Sequence, residues 1–236
     1  MKKHFILANL VTLASLFCAF YSINAAFNDK YFSAIYTIIL AFLFDGLDGK
    51  VARALNTASD FGKELDSLTD AISFGVAPAF LFYKVLYLYN TPFGFILPFF
   101  YTCCVVLRLA RFNITSSTIS EHFFVGLPAP AGAIGVVAFL YFQLKELSPD
   151  AIYNYSLSYI LFIYLISFLM ISKINYLSFK NIEQNLHKKI ILIIPVLFFA
   201  LIFSLYKPII MLILILCYIA SGPAALAINK LANLRS

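Results

Sequence analysis

The sequence predicts an all-α integral membrane protein of about eight transmembrane helices. Three observations lead there. Of the residues, 62% are hydrophobic and only 12% charged, with a mean hydropathy of +0.91. That is too little polar surface to cover a soluble domain of this size, whereas lipid requires no such cover. The apolar runs have the length of bilayer-crossing helices, roughly 17 to 25 residues, rather than the short alternating segments of a membrane β-barrel. Finally, Lys and Arg fall very unevenly on the two sides of the chain, as the positive-inside rule requires.

The first span, 5–27, follows a Lys-Lys pair and superficially resembles a signal peptide. It is long for an h-region of roughly 7 to 15 residues, has no convincing cleavage site and leads into further spans, so it reads as the first helix. Spans at 31–49, 66–89, 93–113, 127–145, 153–172, 189–206 and 208–228 follow, several joined so tightly that neighbours must run antiparallel. With this count, Lys2, Lys3, Lys50, Arg53, Lys63, Arg108, Arg111, Lys173, Lys180, Lys188, Lys189, Lys230 and Arg235 share one side. Only Lys30, Lys84, Lys145 and Lys207 fall on the other. The first side, with both termini, is therefore expected to face the cytoplasm, in a multi-pass protein of the cytoplasmic (inner) membrane. The net charge of +6 belongs to these loops and implies no nucleic acid.

Cys18, Cys103, Cys104 and Cys217 lie inside spans without C-x-x-C spacing and read as small apolar helix residues. No linker, repeat or low-complexity tract interrupts the chain, so 1–236 reads as a single domain with its chemistry in 45–70 and two additional spans in 189–236. The polar stretch 173–189 suits either an anionic lipid surface or a solvated connector.

The chemistry concentrates between Asp45 and Asp70, in the pattern D-x-x-D-G-x-x-A-R-x8-G-x3-D-x3-D. Asp45 and Asp48 are three apart and Asp66 and Asp70 four apart, so each pair shares a helical face. Two helix ends set side by side would converge four carboxylates, and the repulsion is relieved most simply by a hard divalent cation, Mg²⁺ or Mn²⁺. Gly49 removes a side chain where a nucleotide or diphosphate would approach the backbone, with small Ala52 one turn on. Arg53 offers a planar fork to phosphate oxygens. Gly62 either ends a turn or clears space for a ligand.

All eight positions of this pattern match the signature of the CDP-alcohol phosphotransferases, which the chain resembles. Further stretches resemble the phosphatidylserine synthases within that family: Ser73 to Pro78, Arg108 to Asn113, Gly126 to Pro130, and Asn9 to Thr12 with Phe17 and Cys18 following. Together they cover roughly the first 140 residues; Ala14-Ser15-Leu16 departs from the pattern, where an Asn would be expected. The resemblance implies a homodimeric helical bundle that moves a phosphatidyl group from CDP-diacylglycerol to L-serine among membrane lipids, releasing CMP. It implies that Asp45, Asp48 and Asp66 hold the cations, two of them, with Asp70 shared between the second cation and the role of general base. Gly49, Ala52, Arg53, Ser59 and Gly62 would line the cytidine diphosphate site, approached by Asn9 and Thr12. One of Arg108 and Arg111 would bind the serine carboxylate or the substrate phosphate, unless both are interfacial anchors; Asn113 and Ser73 are weaker candidates.

Glycerol 3-phosphate or inositol phosphate as acceptor would use the same signature. A membrane prenyltransferase also pairs Asp clusters, but in distant parts of its chain. An ion transporter would place carboxylates nearer mid-membrane, in broken helices and inverted repeats.

Overall fold

The computed structural model describes residues 2–55, 57, 59–87, 90, 93–115, 123–146, 156–177 and 208–233. Helices α1 (Lys2–Phe27) and α2 (Tyr31–Ala54) form an antiparallel hairpin. Their seam is built from Ala19, Ala26, Ala34 and Ala41, all buried. Lipid tails are as apolar as any helix face, so close approach of small residues and interhelical hydrogen bonds must hold such a pair. Both are present. The Ser15 hydroxyl donates to the Ala41 carbonyl at 3.0 Å and that of Ser22 to the Ala34 carbonyl at 2.9 Å.

The hairpin turns at Asp29, whose φ of 58° is left-handed. The Tyr31 hydroxyl donates to its carboxylate at 2.8 Å and Lys84 pairs with it at 3.2 Å. Those two partners, Tyr31 foremost, hold the Asp29 carboxyl below the usual carboxylate range.

Next come α3 (Asp60–Asp70), a π turn (Ala71–Val76) and α4 (Ala77–Val85), continuous as one helical segment over Asp60–Val85. Hydropathy places the start of this helix at 66, but the structure begins it at Asp60. Ser59 caps it, accepting from the Gly62 N–H at 3.0 Å, and its first turns carry exposed Asp60, Lys63 and Glu64, which an apolar window does not see. For the same reason α2 runs on through Lys50 and Arg53 to Ala54 rather than stopping at 49. The acidic pairs therefore sit within helices, a turn or more from their ends.

The chain continues through α5 (Ile96–Thr115), β1 (Phe123–Val125), α6 (Ala129–Glu146), α7 (Ser156–Ile171), β2 (Asn175–Leu177) and α8 (Pro208–Asn233). The strands pair antiparallel, Phe124 opposite Tyr176. Three residues are too few to show a period of two, so this ribbon had no legible signal. It takes up the start of the polar stretch 173–189; the rest of that stretch, and the span expected at 189–206, lie outside the described residues.

Among the described residues, four segments are long and apolar enough to cross a bilayer: Asn9–Phe27, Tyr31–Ala52, Asp60–Val85 and Ile96–Ile114. Leu157–Ile171 and Met211–Leu226 are shorter apolar helices. Phe17, Phe20, Phe99 and Leu161 point outward and exposed, as lipid-facing side chains do. A buried core runs from Ala19 of α1 through Phe74, Tyr101, Val137 and Tyr159 to Ile219 of α8.

Gly126, between β1 and α6, has φ +81°, and a Cβ there would fall on the Met170 carbonyl oxygen and the Arg111 guanidinium. Arg111 spans that corner. Its Nη2 donates to the Val125 and Met170 carbonyls at 2.9 and 3.0 Å, and its Nη1 to Ile171 at 2.9 Å.

Candidate active site

α2 offers Asp45 and Asp48 one turn apart, and α3 offers Asp66 against them. One oxygen from each of the three lies within 4.8 Å of the others. Asp70, a turn beyond Asp66, comes within hydrogen-bonding reach of Asp45 and electrostatic reach of Asp66; Asp66 meets Asp48 likewise. Asp48 is buried and also accepts from the Gly49 backbone N–H. At such spacing each like-charged pair costs about 4 kcal/mol at the effective dielectric of a protein rim. Asp66 Oδ1 and Asp70 Oδ1 are buried with no donor in reach. An all-carboxylate cluster with orphaned oxygens has the donor chemistry of a hard divalent cation site, and a divalent cation fits it.

Arg108 of α5 is buried beside this cluster, within electrostatic reach of Asp70 and then Asp45. Its guanidinium lies over the Phe112 ring at 5.4 Å, and its Nε has no acceptor. Arg111, one turn on, is directed instead at the three backbone carbonyls of the ribbon corner. The structure thus separates two arginines that sequence treats alike.

On the other flank, Asn9 of α1 meets the first turn of α3. A Cβ on Gly62 would stand 3.2 Å from Ser59 Oγ and 3.6 Å from Asn9 Oδ1, so Gly62 lies inside the turn and keeps that corner open. Thr12 is buried one turn below Asn9. Ala52 is half-buried near the end of α2, where its carbonyl accepts from the Thr57 N–H at 2.9 Å. The Arg53 side chain lies outside the described residues. Asn113 Nδ2 donates to Ser67 Oγ at 3.0 Å, tying α5 to α3, and Ser73 Oγ meets Ser15 Oγ at 3.4 Å.

One neighbour was not anticipated. Tyr218 of α8 lies within electrostatic reach of Arg108, which brings the last helix to the site. A Tyr in an apolar run carries no signal of this, since aromatic residues recur throughout such spans.

Residues 5–172 match the CDP-alcohol phosphatidyltransferase family, a stretch that holds every acidic residue of the cluster and Arg108. The chain is similar to the Helicobacter pylori (strain ATCC 700392 / 26695) protein named CDP-diacylglycerol--serine O-phosphatidyltransferase, 35% identical over 199 residues, which is 84% of this chain and 82% of the relative. A Bacillus subtilis (strain 168) protein of the same name is 36% identical over 175 residues, 73% of this chain and 90% of its own. A Mycobacterium leprae (strain TN) protein, again of that name, is 44% identical over 145 residues, 59% of this chain and 48% of its own, so the chain spans about half the length of that relative. The extent of the match, and the acidic cluster inside it, show that the chain belongs to the CDP-alcohol phosphatidyltransferase family.

Proposed function

We propose that the protein transfers the phosphatidyl group of CDP-diacylglycerol to the hydroxyl of L-serine, giving phosphatidylserine and CMP. The observation that carries this reading is the convergence of Asp45, Asp48 and Asp66 within 4.8 Å, with Asp70 alongside. The serine acceptor is supported by the printed names of the relatives. Asp45, Asp48 and Asp66 would hold divalent cations, Mg²⁺ or Mn²⁺ and two in number, with Asp70 shared with the second. Cations held there would supply charge to neutralise the diphosphate and make CMP a better leaving group.

The chain's own groups do the rest. Asn9, Thr12, Gly49, Ala52, Arg53, Ser59 and Gly62 line the cytidine diphosphate side, where Gly62 leaves room beside Asn9. Asp70 takes the proton of the serine hydroxyl as that oxygen bonds to the lipid-side phosphorus and the bond to the CMP phosphate breaks. Arg108, buried with a donor to spare, receives the serine carboxylate. The reading is completed by one domain over 1–236, a homodimer, and a site at the cytoplasmic face of the inner membrane, the side to which the eight-span count assigns thirteen of the seventeen Lys and Arg.

The test supplies purified protein with labelled CDP-diacylglycerol and serine, glycerol 3-phosphate or inositol phosphate separately, and identifies the lipid formed. Phosphatidylserine from the serine reaction, lost with EDTA and restored by Mn²⁺ or Mg²⁺, is expected. Product from another acceptor and none from serine would overturn the acceptor assignment.

A further inference from the structure

A proline within a helix lacks the N–H that would bond the carbonyl four residues earlier, and its ring presses on that carbonyl. Here the proline is Pro78 and the carbonyl that of Phe74, deep in a span where no water can satisfy it. Two features meet the problem. The chain widens into the π turn, in which the Ala77 N–H reaches back to the Ile72 carbonyl. From α5, the fully buried Tyr101 hydroxyl donates to the Phe74 carbonyl at 2.8 Å. α5 packs close against this turn: a Cβ on Gly75 would sit in ordinary van der Waals contact with Val105 at 3.4 Å and Thr102 at 3.6 Å.

The turn stands directly between two faces with different duties. On its N-terminal side, α3 aims Asp66 and Asp70 at Asp45 and Asp48. On its C-terminal side, α4 buries Ala77, Leu81, Phe82 and Val85 in the core, which fixes its rotation. A turn closed one residue later shifts the azimuth between the two faces by about one residue, roughly 100°. We propose that the π turn, held by the Tyr101 hydroxyl in place of the N–H that Pro78 lacks, sets the aim of Asp66 and Asp70, so that Tyr101 and Pro78 are positioning residues for the cation site. This rests on the reading of those two carboxylates as cation-holding groups.

Tyr101→Phe removes the hydroxyl, and Pro78→Ala restores the N–H and lets the turn relax towards an α-helix. Tyr159→Phe is the control: it deletes an equally buried bond, Tyr159 to the Val136 carbonyl at 2.8 Å, joining α7 to α6. Mn²⁺ binding to detergent-purified protein is followed by electron paramagnetic resonance without substrate, and turnover is measured beside it. Tyr101→Phe and Pro78→Ala are expected to bind Mn²⁺ about tenfold more weakly and to turn over about tenfold more slowly, with Tyr159→Phe unchanged. Should Tyr101→Phe not be recovered folded, Pro78→Ala decides, since it removes a helix breaker. Variants that bind Mn²⁺ like the wild type, or a Tyr159→Phe protein weakened as much as Tyr101→Phe, would overturn the inference alone. Wild-type protein that binds no Mn²⁺ would overturn it together with the cation reading beneath it.

Discussion

Arg108 and Arg111 stand one turn apart on α5, and conservative replacement of each should fail in opposite ways. In Arg111→Lys, three charge-assisted hydrogen bonds, at 2.9, 2.9 and 3.0 Å to Ile171, Val125 and Met170, are asked of a single ammonium. A lysine point charge keeps at most one of them, because the three carbonyls match a fork. Losing two such bonds costs about 3 to 6 kcal/mol. The guanidinium is partly open to water, so the lower end, about 3 kcal/mol, is the expected cost. For a chain of this size that lowers the melting temperature by roughly 6 to 12 °C. Thermal unfolding in detergent reads the shift, and turnover per mole of folded protein should stay within about twofold of wild type. Arg108→Lys should do the reverse, melting near the wild type while the KM for serine rises about tenfold, or about 1.4 kcal/mol. If Arg111→Lys instead melts like the wild type and raises the serine KM, the division of labour between the two arginines is wrong.

Asp66→Ala and Asp70→Ala should each abolish transfer while the protein remains membrane-inserted, checked by fractionation alongside the lipid-product assay; residual turnover near wild type would refute their roles. Gly126→Ala should sharply reduce the yield of folded protein, because the new methyl meets both the Met170 carbonyl and the Arg111 guanidinium at a positive φ. Gly75→Ala, by contrast, meets Val105 and Thr102 only at ordinary contact distance, so its melting temperature should stay within a few degrees of wild type.

The acidic cluster was legible in the sequence because helical spacing alone puts Asp45 with Asp48 and Asp66 with Asp70, and the motif is too specific to arise from a solvated helix cap. Family membership likewise displaces the prenyltransferase and transporter alternatives. Among the described residues, hydropathy located the apolar helices but clipped the polar ends of α2 and α3, where Lys50, Arg53, Asp60 and Lys63 extend helices beyond the apolar window. Pro78 was visible in the sequence, but the π turn just before it was not, and the hydroxyl that meets the Phe74 carbonyl, that of Tyr101, comes from another helix. The ribbon of β1 and β2 was too short for any periodic signal. Arg108 and Arg111 could not be told apart, since what separates them is the position of three carbonyls on other elements. Ser15, noted only as a departure from the expected pattern, proves to join α1 to both Ala41 of α2 and Ser73 of the π turn.

The alanine and serine seam between α1 and α2 bears on how the active centre comes into being. A tight hairpin of two apolar helices can enter the bilayer as one unit, carrying Asp45 and Asp48 with it while their counterparts are still downstream on the growing chain. The cluster draws on Asp45 and Asp48 from one side and Asp66 from the other, so affinity for the proposed cation would appear only when α3 docks onto that hairpin. On the cation reading proposed above, ion capture would follow helix assembly, and an occupied centre would mark that α3 has docked onto the hairpin.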